Sequence, residues 1–199
     1  MIGFKYGGGM KAIQTNPEDP SSLELGDADK PQLKDGEVLV QVKAAGVNRA
    51  DLLQARGHYP PPPGASEIIG LEVAGEVVDA GDTDITVGSK VGALLAGGGY
   101  AEYVAVPKGQ LVPIPTGYSF AEAASVIEVA CTVWSNIAME AGLAEGQTIL
   151  IHGGAGGIGT FAIQVAKQLG ATVAVTAGSD EKLATVSYTH LRAHETDSY

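Results

Sequence analysis

A glycine-rich turn in the last third of the chain has the residue types and spacing best suited to chemistry. Gly154, Gly156 and Gly159 follow the pattern Gly-x-Gly-x-x-Gly, between an apolar strand predicted at 148–151 and an amphipathic helix predicted at 158–169. Such glycines let the chain reverse tightly, approach a pyrophosphate with its main chain and pack the helix on the strand. The helix N-terminus favours an anion without Lys or Arg. The predicted site comprises Gly154, Ala155, Gly156, Gly157, Ile158 and Gly159.

The sequence on either side of this turn has the required periodicity. Gly170 is a stop signal after the helix, and a second strand is predicted at 171–176. A strand, glycine turn, helix and strand within about 30 residues form a βαβ unit, which indicates dinucleotide binding rather than an ordinary loop. The predicted apolar stripe of the helix consists of Ile158, Phe161, Ala162, Val165, Ala166 and Leu169.

The end of the second strand indicates which dinucleotide is bound. NAD-binding proteins place an Asp or Glu there for the ribose 2′-hydroxyl, but this strand ends in Thr176, Ala177, Gly178 and Ser179. The hydroxyl of Ser179 and the ammonium of Lys182 can meet a 2′-phosphate, so the sequence favours NADPH, with Thr176 and Gly178 in the same site. Alternatively, Ser179 caps the next helix and Lys182 is a solvated charge beside two acidic residues.

Composition excludes several classes of protein. A net charge of −11 over 199 residues argues against nucleic acid or an anionic membrane as a partner, and a cytoplasmic location is the default expectation. Cys131 is the only cysteine, so no intrachain disulfide and no Cys-rich zinc site can form. We expect Cys131 to be buried.

Both ends of the chain depart from the pattern of the middle. Met10 is a candidate true start, because strand-like sequence begins there after a glycine-rich leader. From Ser187 the helical pattern is lost, and 187–199 resembles a non-native tail that recurs on unrelated open reading frames. His190, His194 and Glu195 have a metal-ligand spacing, but a helical face without other ligands predicts surface residues.

From Met10 to about Pro115 the sequence reads as short strands separated by turns. Residues 37–43 and 101–106 alternate apolar and polar side chains, and glycines within 69–78 mark bulges or close backbone approaches. One helical turn is predicted at 48–54, and helical composition begins at Phe120. We predict a small antiparallel barrel domain at 10–122, followed at 123–186 by the first part of a dinucleotide-binding domain.

Four strings of the sequence resemble the medium-chain dehydrogenase/reductase superfamily, and most closely its zinc-free quinone oxidoreductases of the zeta-crystallin type. They lie at 46–51, 70–75, 97–103 and 146–164, and the proline-rich string 59–64 resembles the stress-inducible quinone reductases. The resemblance implies an α/β fold with a β-rich N-terminal domain: a chaperonin-10-like (GroES-like) β-barrel followed by an incomplete Rossmann doubly wound domain. It also implies that the parent protein is a homodimer.

The same resemblance argues against zinc. Asn48 stands near the position of a zinc-binding Cys of the zinc-dependent alcohol dehydrogenases, Leu71 replaces their His, and their four-Cys lobe is missing. Glu72 remains from their Gly-His-Glu string, and we expect it to be a structural ion-pair partner. Without zinc to polarise an alcohol, the acceptor must itself be easily reduced, as quinones and activated enones are.

Three residues line the nicotinamide end by resemblance: Asn48, Tyr59 and Thr132. Asn48 can donate an amide hydrogen bond to the acceptor or to the nicotinamide carboxamide, or it can satisfy loop backbone. Phenols stay protonated at neutral pH, so Tyr59 is the leading candidate proton donor, although it can also simply pack on the prolines that follow.

The sequence therefore predicts a zinc-independent NADPH:quinone oxidoreductase whose partner is a small quinone-like acceptor. An NADPH-dependent enoyl or enone reductase of the same superfamily is the first alternative. The second alternative is an inactive truncated fragment that at most binds the nucleotide, because two strands make an incomplete sheet.

Overall fold

The computed structural model describes residues 9–16, 19 and 22–189, which form two compact units divided between Glu128 and Val129. The leader and the segment 190–199, with His190, His194 and Glu195, lie outside the described residues. No helix in the described part of the chain is long and apolar enough to span a bilayer.

The first unit is built of antiparallel strands. They are β1 (Gly9–Thr15), β2 (Leu23–Asp29), β3 (Glu37–Ala45), β4 (Glu72–Asp79), β5 (Lys90–Leu94), β6 (Tyr103–Pro107) and β7 (Leu111–Pro113). The strands β1 and β2 form a two-stranded ribbon, and the others form a sheet in the order β6-β3-β4-β5-β7. A bridge between Ala12 and Ala101 ties the ribbon to the segment before β6. A short helix, α1 (Arg49–Ala55), follows β3, as the sequence predicts for 48–54.

Valine dominates the core of this sheet, since β-branched side chains pack well on a pleated surface. The pairing of β3 with β4 shifts register twice, and Gly75 lies so close to the main chain that a Cβ there would collide with the carbonyl of Gln41. The prediction that glycines in this stretch mark bulges or close approaches is confirmed. The core residues are Val38, Val40, Val73, Val77, Val91, Ala93, Leu95, Val104 and Val106.

The helix α2 (Phe120–Ala124) packs on the barrel sheet rather than opening the second unit. Ser119 caps it, because its hydroxyl accepts from the amide of Glu122 at 3.2 Å while the Glu122 carboxylate returns a contact to the Ser119 amide at 2.8 Å. Ala123 and Ala124 are buried against Ala74. The chain therefore divides after Glu128 in the structure, whereas the sequence suggested a division at 122.

The second unit contains one βαβ motif. After α3 (Ile127–Val133) and a π-helical segment (Trp134–Glu140) come β8 (Thr148–His152), α4 (Gly157–Gln168), β9 (Thr172–Thr176) and α5 (Asp180–Thr189). The strands β8 and β9 pair in parallel, and Gly170 leaves α4 with φ +78°, a conformation that glycine adopts without strain. The predicted motif of strand, glycine turn, helix and strand is present.

The predicted apolar stripe of α4 is confirmed at five of its six positions, which are buried or partly buried: Phe161, Ala162, Val165, Ala166 and Leu169. Two predictions about single helix residues are wrong. Ile158, placed in the stripe, is 43% exposed, whereas Ile163, left out of it, is fully buried. Cys131 is exposed rather than buried, because it lies two positions, about 200° around an α-helix, from the buried Val133.

The burial of Ile163 and the exposure of Ile158 on α4 can be tested with two matched substitutions. We expect Ile163→Ala to lower the free energy of unfolding by about 2–5 kcal/mol, the usual cost of a cavity in a core. Ile158→Ala, its control on the same helix, should change it by about 0.5 kcal/mol or less. Urea unfolding followed by circular dichroism measures both values, and equal losses would restore the stripe predicted from the sequence.

Candidate functional site

The glycine turn joins the carboxyl ends of the two parallel strands. Gly153 follows β8 directly and has φ +70°. The tight reversal therefore falls one residue before Gly154, the first glycine of the Gly-x-Gly-x-x-Gly pattern. The amide of Gly154 donates to the carbonyl of Thr176 at the end of β9 (2.9 Å), and the amide of Gly156 donates to Gly153 (3.0 Å). The structure thus brings Thr176 to the glycine turn, as the candidate site requires.

The three glycines of the Gly-x-Gly-x-x-Gly pattern lack a side chain for different reasons. A Cβ on Gly154 would lie 2.8 Å from Cβ of Val175, and one on Gly159 would meet the carbonyl of Gly153 and lie 2.7 Å from the Cα of Gly154. These two positions exclude side chains because main chain or β9 fills the space. At Gly156 the nearest atom is 3.4 Å away and the residue is exposed, so its missing side chain leaves free surface.

The N-terminus of α4 opens on this free surface. Gly156 is the extended N-cap, and Gly157 and Ile158 in the first turn are exposed. The first amides of an α-helix have no acceptor within the helix, and they carry its positive dipole end. A pyrophosphate needs donors of this kind and an approach that side chains do not block, and Gly156 and Gly157 leave such an approach. The residues present therefore fit the pyrophosphate of a dinucleotide.

The structure of the segment after β9 is compatible with both roles that the sequence suggested for Ser179, helix capping and contact with a ligand. Its Oγ lies 3.4 Å from the amide of Lys182, and its carbonyl accepts from the amide of Leu183 at 3.0 Å, so Ser179 stands directly before α5 and bonds to its first turn. The side chains of Ser179 and Lys182 are exposed, and a Cβ on Gly178 would meet nothing within 4 Å. This segment is therefore accessible to a ligand, and its contact with a 2′-phosphate stays a prediction.

His152 is a neighbour of the glycine turn that sequence reasoning missed. Its ring Nδ1 lies 3.0 Å from Oγ1 of Thr176, at the carboxyl edge of the strand pair. Crevices at the carboxyl ends of parallel strands are the usual ligand sites of such sheets. The position of His152 as the last residue of β8 was the available signal.

In the first unit, a hydrogen-bonded network surrounds Asn48, the N-cap of α1. Its backbone amide donates to Oδ2 of Asp51 at 2.7 Å. The Tyr100 hydroxyl donates to the same oxygen at 2.8 Å and also lies 3.2 Å from the carbonyl of Gly46. Asp51 is 1% exposed, and its Oδ1 has no partner in the part of the chain that the structure describes.

A second buried carboxylate, Glu72 on β4, holds the other side of Asn48. The side-chain amide Nδ2 of Asn48 donates to Oε1 at 2.9 Å, and the backbone amide of Glu128 donates to Oε2 at 2.9 Å. Glu72 is 2% exposed. The expected ion pair is not formed, since the salt bridges among the described residues are Lys11–Asp27 and Lys108–Asp84. Neutral amides satisfy Glu72 instead.

Burial governs the electrostatics of this network. Desolvation raises the pKa of the Glu72 carboxyl above its ordinary value, although the hydrogen bonds from Glu128 and Asn48 act in the opposite direction. Desolvation, followed by the hydrogen bond to Asp51, also raises the pKa of the Tyr100 hydroxyl. Tyr100 therefore stays protonated over the working pH range and acts as a fixed donor.

Tyr59 and Thr132 occupy different surroundings. Tyr59 lies in the loop after α1, is 46% exposed, and its hydroxyl has no hydrogen-bond partner among residues 9–16, 19 and 22–189. Thr132 is partly buried on α3, and its carbonyl accepts from the side chains of Ser135 (3.1 Å) and Asn136 (2.8 Å). The roles of Asn48, Tyr59 and Thr132 toward nicotinamide remain predictions.

The partners of Asn48 show what sequence reasoning missed. An acidic residue three positions after an N-cap is a capping-box signal, and Asn48 and Asp51 have that spacing. Nothing local in the sequence connects Tyr100 to Asp51, because 49 residues separate them. No cluster of three or more His, Cys, Asp or Glu residues suited to a metal occurs within the described residues.

The fold and the two sites define a GroES-like β-rich unit followed by the beginning of a Rossmann-type nucleotide-binding unit. Residues 34–116 match the family model described as the alcohol dehydrogenase GroES-like domain. Over 176 residues, or 87% of its length, the chain is 36% identical to a mycocerosic acid synthase-like polyketide synthase of Mycolicibacterium smegmatis, of which it covers 8%.

Solved structures match both units of the chain. The quinone oxidoreductase of Coxiella burnetii is 31% identical with a TM-score of 0.79, over 91% of this chain and 60% of that one. The CurK enoyl reductase is 26% identical with a TM-score of 0.81, over 90% of this chain and 57% of that one. These matches confirm the fold class and the likeness to medium-chain dehydrogenase/reductase oxidoreductases.

The chain is shorter than the proteins it matches. It spans between 2% and 9% of the length of the matching polyketide synthases. It spans between 56% and 61% of the matching solved structures. The activity of the whole protein, its substrates and its partners are therefore matters of proposal.

The packing role of the glycine turn predicts opposite effects at two of its glycines. Gly159→Ala should lower the free energy of unfolding by about 1–3 kcal/mol, because the added methyl group meets main chain that cannot retract. Gly157→Ala is the control. Its Cβ would have no neighbour nearer than Val129 at 4.0 Å, so stability should be unchanged or slightly raised by better helix propensity. Thermal unfolding compares the two, and a harmless Gly159→Ala would contradict the close approach.

Proposed function

We propose that the chain is the catalytic and cofactor-binding part of an oxidoreductase that uses NADPH to reduce an electron-poor acceptor, a quinone-like compound in the first instance. The observation that carries this proposal is the turn at 153–159, which joins the end of β8 to the start of α4 beside β9 and in which Gly156 and Gly157 expose main chain. Thermal shift of the chain with NADPH, and NADPH oxidation in the presence of a quinone, test the proposal directly.

In this proposal, different residues of the second unit bind different parts of the cofactor. The amides at Gly156, Gly157 and Ile158 are suited to the pyrophosphate, while Gly154 and Gly159 keep the helix close enough to present them. When bound, NADPH supplies the hydride of the reaction. Ser179 and Lys182, exposed beyond β9, would distinguish its 2′-phosphate from the bare ribose of NADH, since no acidic residue ends that strand.

The donor set of the first unit is the basis for proposing a reaction without zinc. Leu71 offers no lone pair, and Asn48 offers a neutral amide where zinc chemistry uses thiolate or imidazole. The amide of Asn48 is also engaged with Glu72. A site of this kind suits an acceptor that needs no Lewis acid.

Tyr59 and Asn48 are the side chains proposed to serve the acceptor. Tyr59 is exposed, and a phenol hydroxyl can donate to an oxygen on which negative charge develops. Asn48 is fixed by Asp51 and Glu72, which gives its amide one defined position. Positioning of this kind is the main contribution that a protein makes to a reaction whose chemistry belongs to the cofactor.

A second candidate function, reduction of an enoyl or enone double bond, is favoured by the likeness to the CurK enoyl reductase. A quinone and an enone both need hydride delivered beside a hydrogen-bond donor, so the residues described serve either substrate. Parallel assays with a quinone and with an α,β-unsaturated thioester separate them. A chain that binds NADPH but reduces neither compound would support the third reading, a nucleotide-binding fragment without catalysis.

The cellular location, the partners and the oligomeric state of the protein are also proposals. We expect a cytoplasmic protein with a small-molecule acceptor and no nucleic-acid or membrane partner, because its net charge of −11 repels polyanionic surfaces. A homodimer of the parent protein is expected from the resemblance alone. Size-exclusion chromatography with light scattering tests the dimer.

Removal of the Tyr59 hydroxyl tests its role as proton donor. Tyr59→Phe should lower kcat by roughly 100-fold, the range of general acid catalysis, while the Kd for NADPH stays near that of the wild type. Tyr118→Phe, another exposed tyrosine of the first unit, is the matched control and should leave kcat unchanged. Full turnover in Tyr59→Phe would reduce Tyr59 to a packing residue.

Removal of the Lys182 ammonium tests the choice of NADPH. Lys182→Ala should weaken NADPH by roughly 10–100-fold, which corresponds to one charge-assisted hydrogen bond, and NADH hardly at all. Lys167→Ala on α4 removes the same charge elsewhere in the unit and should affect neither nucleotide. Isothermal titration with both nucleotides measures the effect, and equal losses for NADPH and NADH would exclude Lys182 from the 2′-phosphate site.

A further inference from the structure

Asn48 is held from two sides by buried acids, which leaves its side-chain amide little freedom. Asp51 accepts from its backbone amide at 2.7 Å, and Glu72 accepts from its Nδ2 at 2.9 Å. Both acids are buried, whereas Asn48 itself is only partly buried. Asn48 thus connects a buried carboxylate to a partly accessible residue.

The hydrogen-bonding properties of the Glu72 carboxylate and the Asn48 side-chain amide decide which way the amide points. An ionised carboxylate has only acceptors, and an Asn side chain has a donating NH2 on one side and an accepting carbonyl on the other. An ionised Glu72 therefore requires the NH2 of Asn48 on its side. The Oδ1 of Asn48 is then directed away from Glu72 as an acceptor, beside the second N–H.

The barrel makes room for this carboxylate and keeps it there. A Cβ on Gly46 would collide with Oε1 of Glu72 and lie 2.5 Å from its Cδ, so the carboxylate fills the space of the missing side chain. The backbone amide of Gly46 donates to the Glu72 carbonyl at 3.2 Å. The second carboxylate oxygen is occupied by the amide of Glu128. The carboxylate cannot turn without losing one of these contacts.

The charged and titratable groups around Glu72 come from three neighbouring segments. Glu128, beside it on α3, acts by like-charge repulsion, and Tyr100 and Asp51 belong to the adjoining network. No basic side chain forms a salt bridge with Glu72 or Asp51 within the residues that the structure describes. The position of Glu72 therefore depends on neutral donors, of which the Asn48 amide is the only one from a side chain in this network.

We propose that Glu72 is a positioning residue that fixes the orientation of the Asn48 amide, with its NH2 toward the barrel and its carbonyl oxygen toward the ligand. This inference rests on the proposed function, in which Asn48 serves the nicotinamide and the acceptor. An outward carbonyl selects a ligand group that carries N–H or O–H. The NH2 of the nicotinamide carboxamide is such a group.

Glu72→Gln is the sharpest test because it reverses this orientation without changing size. The amide of Glu128 still needs an acceptor, so the oxygen of Gln would turn to Glu128 and its NH2 to Asn48. Asn48 must then present its carbonyl inward and its NH2 outward. Glu76→Gln, on the same strand but partly exposed, is the matched control.

The first measurement is nuclear magnetic resonance of the Asn48 side-chain amide in the full chain without nucleotide. In the wild type its signals should shift with pH as Glu72 titrates. In Glu72→Gln its NH2 protons should exchange with solvent about tenfold faster, the effect of losing one hydrogen bond. Unchanged exchange, or Asn48 signals that ignore pH in the wild type, would overturn the proposal. The pH titration needs no variant and decides the matter even if Glu72→Gln fails to fold.

The second measurement compares NADPH with its 3-acetylpyridine analogue, in which a methyl group replaces the carboxamide NH2. Wild type and Glu76→Gln should bind NADPH about tenfold more tightly than the analogue, and Glu72→Gln should bind the two equally. The same preference in Glu72→Gln would contradict the outward carbonyl. Failure of the wild type to bind NADPH would refute the proposed function instead, while the resonance data would still decide the orientation of Asn48.

The pH dependence of folding stability is expected to differ between Glu72→Gln and the wild type. Burial raises the pKa of Glu72, so protonation favours the folded state: the stabilisation is complete below the pKa of the unfolded chain and is lost as pH rises through the raised value. A neutral Gln removes this pH dependence. A stable Glu72→Gln chain at neutral pH would therefore show that any change at Asn48 is not a result of unfolding.

Discussion

The close contact of main chain with main chain at the glycine turn is the constraint on which the second unit depends. Gly159 lies against Gly153 and Gly154, and Gly154 lies against Val175 of β9, so α4 can approach both strands only while these positions lack side chains. The small buried face of α4, with Ala162 and Ala166, continues the same close approach. Because the helix is held so near the strand ends, its first amides point at the space where an anion would bind.

The first unit uses a missing side chain for a different purpose. The space that a Cβ would take at Gly46 holds the carboxylate of Glu72, which in turn orients Asn48. Here the absence of a side chain seats a charged group, whereas in the turn it exposes main chain. A buried charge without a basic partner is costly, and such groups persist only where hydrogen bonds satisfy them. The amides of Asn48 and Glu128 supply those bonds to Glu72.

Local sequence predicted the parts of the structure that local rules determine. The βαβ unit, the helix after β3, the stop at Gly170 and the close approach in β4 follow from periodicity and glycine placement, and the structure contains all four. Within the buried face of α4, the prediction failed at Ile158 and omitted Ile163, because the exact edge of a helix face depends on tertiary packing. The network around Asn48 was missed for a similar reason, since Glu72 reaches Asn48, and Tyr100 reaches Asp51, only over long separations in the chain.

The two sites differ in how they tolerate change, and this difference follows from their donors. A site made of main-chain amides keeps its donors when neighbouring side chains change, provided that the backbone does not move and no new side chain covers the amides. A site made of one side chain held by buried acids depends on each hydrogen bond in turn, because a buried carboxylate that loses its donor keeps the cost of desolvation. If the proposed sites are correct, we expect substrate choice within this fold to vary through residues such as Asn48 and Tyr59 more than through the glycine turn.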